Sequence, residues 1–218
     1  KLKYDDNWCG KIIFCSVCDE EIGGNGTIRS LQYLKQHNLL PENDCIAIIA
    51  EPSQNLLCNE SLGFINLNFE FVANSIHMGL ASPSNNALTQ AIALVNDFSQ
   101  LLQQAIDSSS AQYCPQRFKY NFGQISGGCD NAVPMNSLTL GATLFFPESI
   151  SAKDLVNTLQ DQLKQYNNSA NMCTTGISFP GAKYNISTID NNLGAEHIFP
   201  SPCDARLFKP YSIPTVVF

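Results

Sequence analysis

Between Phe64 and Phe179 the apolar residues switch repeatedly between the two-residue repeat of a strand and the 3.6-residue repeat of a helix. Phe64 to Phe71 alternates apolar and polar residues, as a half-exposed strand does. Ala87, Leu88, Ala91, Ile92, Val95, Phe98, Leu102 and Ile106 then make one long helical stripe. Phe118 to Ile125 and Leu138 to Phe146 read as two further strands. Ser151 can cap a helix whose apolar positions are Leu155, Val156, Leu159 and Leu163, and Met172 to Phe179 reads as a fourth strand. The predicted order is β-α-β-β-α-β, and few folds accept it.

That order is the split ferredoxin-like sandwich, an antiparallel sheet with two helices on one face. The flanks follow a different pattern. Lys11 to Val17 is apolar and β-prone, Asn25 to His37 places Ile28, Leu31 and Leu34 at helical spacing, and Cys45 to Ala50 is a second short apolar run. A strand-helix-strand crossover of this kind implies a parallel pair. Beyond Ala182 a short helix is predicted around Asp204 to Phe208, and the β-prone Ile213 to Phe218 would rejoin the first sheet. The expected class is therefore α/β, with residues 1–62 and 181–218 forming one domain and an α+β domain, residues 63–180, inserted in it.

Composition narrows the functions open to such a chain. Of 218 residues 44% are hydrophobic and 14% charged, which fits a compact fold and argues against a disordered chain. A net charge of -7 speaks against nucleic acid as a partner, because phosphate binding depends on many Lys and Arg. No apolar run approaches the roughly 20 residues of a membrane span, and Lys1 to Gly10 has no signal-peptide core. A soluble protein without a membrane partner is expected. The nine cysteines are odd in number and scattered, which favours free thiols in a reducing compartment and hence the cytoplasm. Gly23-Gly24-Asn25-Gly26 lacks the spacing of a dinucleotide fingerprint and follows three acids that would repel a pyrophosphate.

Two acidic sites carry the chemical interest. Asp19-Glu20-Glu21 follows the first predicted parallel strand and Glu51-Pro52 follows the second, which puts both at the carboxyl edge where ligand sites gather. On neighbouring strands about 4.8 Å apart, such carboxylates can share a pair of metal ions. Adjacent glutamates can also divide labour, one on metal and one moving a proton. The same acids equally suit the positive end of the following helix, with Glu51 a solvated loop acid; spacing alone leaves both readings open. His77 by itself reads as a surface histidine after a strand, His37 as a cation at a helix C-terminus, and His197 as a loop residue.

Five segments in register resemble one family. Ile13-Phe14-Cys15-Ser16-Val17-Cys18-Asp19-Glu20-Glu21-Ile22-Gly23-Gly24-Asn25-Gly26 is similar to the Asp-Glu-Glu segment of the two-zinc amidohydrolases that include acetylornithine deacetylase, succinyl-diaminopimelate desuccinylase, the aminoacylases and glutamate carboxypeptidase. Ile48-Ile49-Ala50-Glu51-Pro52-Ser53 resembles their Glu-Pro segment, and His77-Met78-Gly79 with Asn86-Ala87 their lid-domain histidine motif. Gly127-Gly128-Cys129-Asp130-Asn131-Ala132-Val133-Pro134 resembles Asn-Val-Ile-Pro, and Cys203-Asp204-Ala205-Arg206 resembles Thr-Asp-Ala-Arg. The resemblance implies a zinc-peptidase-like catalytic domain with an inserted lid and dimerisation domain. It implies Glu20 as general base, Glu21 and Glu51 as ligands of two divalent ions (zinc, with cobalt or manganese as options), and His77 stabilising an oxyanion across a homodimer. Asn131 would stand near the substrate, an N-acyl amino acid or small peptide.

The sequence also departs from that family. Its upstream His-x-Asp segment, its bridging aspartate and its final histidine have no counterpart here, and Ala142-Thr143-Leu144 stands where the family tends to carry an arginine. The expectation is an internal piece of an amide hydrolase, inactive by itself because catalytic zinc needs three protein ligands. Two alternatives stand beside it: a dipeptidase or carboxypeptidase, and a non-catalytic dimerising remnant.

Overall fold

The computed structural model describes residues 10–40, 45–107, 117–166, 170–176, 178–184 and 197–218. The chain divides into two compact units, Lys1–Asp44 and Cys45–Phe218. In the first, helix α1 (Asn25–Gln36) starts behind Gly24, whose φ of 73° is easy only for glycine, and buries Thr27 and Leu31. It ends at His37, whose ring Nδ1 lies 2.9 Å from the Tyr33 carbonyl oxygen and which stacks on Tyr33. A helix C-terminus is where the sequence expected this histidine. Lys11 to Val17, by contrast, forms no strand: Ile12 is 67% and Phe14 89% exposed. An apolar, β-prone run needs a ladder partner for its N–H and C=O groups, and propensity alone supplies none.

The second unit holds nine strands and two helices among its described residues: β1 (Ala47–Ile49), β2 (Cys58–Ser61), β3 (Gly63–Val72), α2 (Ala87–Asp107), β4 (Lys119–Gly127), β5 (Ser137–Phe146), α3 (Ala152–Tyr166), β6 (Ala170–Thr174), β7 (Ala182–Lys183), β8 (His197–Phe199) and β9 (Thr215–Val217). One sheet runs β1-β9-β2-β7, with β8 beside β2. The parallel partner of β1 is β9, with Ile48 opposite Val216, so the C-terminal run does rejoin the strand formed within Cys45 to Ala50, while the crossover partner expected from Lys11 to Val17 is not a strand. This sheet carries a small core of Cys58, Ala182, Tyr184, Phe199, Cys203, Ala205 and Val217.

The other sheet runs β4-β5-β3-β6 and is antiparallel throughout. Its β3–β5 ladder is unbroken from Gly63 opposite Phe146 to Val72 opposite Ser137. The period-two pattern turns Ile65, Leu67, Phe69 and Phe71 to one face, where α2 and α3 cover them. Burying each such side chain contributes roughly 1.5–3 kcal/mol. At the centre Phe98 meets Phe69, Tyr120 and Phe122 edge-on, with ring centroids 5.8, 4.9 and 5.1 Å away. Both helices start at capping side chains: Asn86 Oδ1 accepts from the Leu88 and Thr89 N–H groups, and Ser151 Oγ accepts from the Asp154 N–H. The last expected strand is shorter than its apolar run, ending at Thr174, and Phe179 returns only as a single bridge to Phe64. The molecule is thus mixed α/β, and no helix among the described residues is long and apolar enough to cross a membrane.

Candidate functional site

In the first unit the Asp-Glu-Glu segment is a tight turn. Asp19 adopts φ 65°, Glu20–Ile22 form one 3-10 turn, and the Asp19 carbonyl accepts from the N–H groups of Ile22 (3.3 Å) and Gly24 (2.7 Å). Glu20 is half-buried and Glu21 exposed. The turn rests on α1 because residue 26 is glycine: a Cβ there would stand 2.7 Å from Cys18 N. The turn and the helix start are therefore one compact piece, with two carboxylates displayed just ahead of the helix N-terminus.

In the second unit Glu51 leaves the end of β1, held by its N–H to Phe218 O at 2.9 Å, while Phe218 N–H returns to Ile49 O at 2.8 Å. Its main chain turns at once, Ser53 N–H donating to Glu51 O, and the Ser53 hydroxyl is buried without a hydrogen-bond partner among the described residues. Behind this corner lies a polar network within the small core. Ser61 Oγ and Tyr184 OH are 2.9 Å apart, and both side chains also interact with the Cys203 thiol. Burial pushes that thiol up to about 11; the Glu51 carboxylate adds to the rise, and the Ala205 backbone, Ser61 and Arg206 oppose it. Tyr184 is also driven well above the usual phenol range, by burial first and Cys203 second. Both groups are therefore neutral hydrogen-bonding members of the corner, not nucleophiles.

Asp204 and Arg206 open a 3-10 stretch, Asp204–Tyr211, and both are buried. Arg206 pairs with Asp204 at 3.5 Å and donates to the Cys203 carbonyl, while its guanidinium lies over the Phe179 ring, 3.6 Å from the centroid. Sequence reasoning reached Asp204 and Arg206 only through a motif resemblance and missed Ser61 and Tyr184 altogether. Those two lie 123 residues apart, and a serine in a strand and a tyrosine in a loop carry no local signal of meeting.

The structure brings the His77 and Asn131 loops to one end of the four-stranded sheet. One loop follows β3 and the other precedes β5, and β3 ends opposite the start of β5, with Ala73 N–H bonded to Asn136 O at 2.8 Å. Ala87 N–H donates to Met135 O, which ties the second loop to the start of α2. His77 is exposed and caps a short turn, Met78–Leu80, its Nδ1 accepting from Gly79 N–H at 3.1 Å. With Nδ1 an acceptor, the proton of the neutral ring sits on Nε2, which points its donor away from the turn's own backbone. Asn131 is exposed in a turn fixed by Asp130 Oδ1 accepting from Ala132 N–H at 2.7 Å.

Glu21 and Glu51 offer oxygen donors suited to hard or borderline divalent ions. Among the described residues no three His, Cys, Asp or Glu side chains come together to hold a metal ion. Two carboxylates fall short of the three protein ligands that catalytic zinc uses, so these residues by themselves do not fit a complete metal centre.

No protein-family model and no curated protein matches this sequence. Solved structures do share its fold. An amidase of the hydantoinase/carbamoylase family from Burkholderia phymatum superposes with a TM-score of 0.56 at 14% identity, over 84% of this chain and 52% of that one. A tripeptidase from Staphylococcus aureus gives 0.53 at 15% identity, over 88% and 53%. Aminopeptidase PepT from Bacillus cereus gives 0.52 at 14% identity, over 93% and 54%. The chain spans about half the length of each of these structures.

Proposed function

We propose that this chain is part of a hydrolase that cleaves the amide bond of an N-acyl amino acid or small peptide. The observation that carries this reading is a fold shared with amidases and peptidases, in which the loop residues His77 and Asn131 emerge at one sheet end. In the proposed reaction Glu20 takes a proton from the attacking water and delivers it to the departing nitrogen. His77 presents its Nε2–H to the oxyanion of the tetrahedral intermediate, and the Asn131 carboxamide supplies a further donor. Glu21 and Glu51 would be this chain's share of the ligands of two divalent ions, zinc with cobalt or manganese as options, completed by groups beyond the described residues. Those ions would supply an activated water; the proton transfers belong to the side chains. A peptide substrate, as for a dipeptidase or carboxypeptidase, is the nearest variant, favoured by the two peptidases among the structures sharing the fold.

Residues 63–180 would serve as a lid and dimerisation domain. Strand β4 ends the order of its sheet, and it exposes Tyr120 and Ile125 while α2 exposes Ile92 and Val95. An open edge beside apolar residues suits a second copy of the same strand. That surface also favours the second reading, a dimerising remnant without catalysis. The test is hydrolysis of N-acyl amino acids and short peptides by the complete gene product with zinc or cobalt added, compared with Glu20→Gln. The proposed function expects turnover that falls about 10²–10⁴-fold in the variant. No turnover in either protein, together with self-association, would establish the remnant instead.

A further inference from the structure

The two sheets of the second unit have separate hydrophobic cores. One cluster holds the residues of the four-stranded sheet with α2 and α3, the other those around Cys58, Tyr184 and Cys203. Among the described residues no shared apolar core sets the angle between them, so other contacts must. The chain crosses from one sheet to the other twice, after Leu62 and before Ala182, and the two crossings form one continuous antiparallel ribbon. Glu60 faces Lys183 and Ser61 faces Ala182, and in the same register Phe64 and Phe179 exchange both backbone hydrogen bonds at 2.9 Å. A two-stranded ribbon alone twists and bends readily. Glycines at 63 and 181 let it pass close to neighbouring backbone: a Cβ on Gly181 would lie 2.7 Å from Glu148 N and Cα.

Polar contacts brace this ribbon on its flanks. Glu60 of β2 pairs with Arg117, just ahead of β4, at 3.6 Å, and Lys209 pairs with Glu148 at 3.2 Å. Those two pairs each have a solvent-exposed member and are individually weak. Arg206 differs in kind. Its side chain is only 6% exposed, and Asp204 and the Cys203 carbonyl hold it from the small-core side while its face covers Phe179 on the ribbon. A planar cation that is hydrogen-bonded at its rim and stacked on its face can fix an angle as well as a distance.

We infer that Arg206 is a positioning residue that fixes the angle between the two sheets by clamping the ribbon through Phe179. In the hydrolase reading, on which its catalytic consequence rests, this sets the place of the His77 and Asn131 loops relative to Glu51. The clamp itself is independent of catalysis and is read by hydrogen exchange on the complete chain. In Arg206→Ala the Phe64 and Phe179 amides should exchange roughly tenfold or more faster, with the α2 amides unchanged. Phe179→Leu, which keeps an apolar side chain and removes the ring face, should reproduce the effect should the arginine variant fail to fold. Arg206→Lys should restore part of the protection through its charge but not the planar group that covers the Phe179 ring. Unchanged exchange at Phe64 in Phe179→Leu, or loosening spread equally over α2, would overturn the clamp. If the chain also hydrolyses amides, kcat should fall in Arg206→Ala and recover partly in Arg206→Lys. A lost clamp with no activity in any variant counts against the hydrolase reading alone.

Discussion

Replacing Gly26 with alanine sets two effects of opposite sign against each other. Alanine in an exposed helix turn is favoured over glycine by about 1 kcal/mol, and Gly26 sits in the first turn of α1. Its new Cβ, however, would lie 2.7 Å from Cys18 N and nearer still to Cys18 O, where real Cβ atoms keep at least 3.0 Å. The obstacle is backbone, not a flexible side chain, so the turn carrying Asp19, Glu20 and Glu21 must move away from the helix. Overpacking of this kind typically costs about 1–3 kcal/mol, so the balance is a net destabilisation of up to about 2 kcal/mol. Amide exchange of Ile28, whose N–H bonds to Gly24 O at 3.0 Å, reports on that helix start directly. Faster exchange in Gly26→Ala is the expected result. Slower exchange, as helix propensity alone demands, would refute the packing of the acidic turn on α1, and with it the shared rigidity assigned to Glu20 and Glu21.

Three further outcomes are expected. Phe98→Ala removes the residue on which three aromatic rings converge and should cost about 3–5 kcal/mol in urea unfolding. The Cys203 thiol is raised from 9.0 to about 11, so its contribution is intact below pH 9 and is lost as pH rises through 11. The unfolding midpoint should therefore drop between those values, and Cys203→Ser should flatten part of the drop, with Tyr184 and the burial-raised thiols of Cys45 and Cys58 keeping the remainder. If the proposed dimer forms through β4, Ile125→Lys, which places a charge on that end strand of the described sheet, should abolish self-association in sedimentation while leaving the monomer folded.

How much of this was readable in advance depends on the range of each interaction. The six elements from β3 to β6 follow the order that apolar spacing predicts, because a period of two or 3.6 is a local property and each face it defines had a partner within the same stretch. The cap residues Asn86 and Ser151 act within three residues, and Ser151 was legible for that reason. Lys11 to Val17 misled because it had every local attribute of a strand except a ladder partner. Glu51 was visible at the end of an apolar run, whereas Glu20 and Glu21 follow no strand, and the roles proposed for these residues and for His77 and Asn131 came from motif resemblance, not from spacing.

The amino-acid sequence by itself determined the order of helices and strands from β3 to β6 and the short apolar run that becomes β1. Only the tertiary structure decided that β9 and not an N-terminal strand lies beside β1, that Ser61, Tyr184 and Cys203 share a buried network, and that Arg206 stacks on Phe179. Periodicity is set by neighbours a few residues apart, whereas strand partners and buried polar contacts join groups tens to more than a hundred residues apart, and no local pattern records where such distant groups will meet.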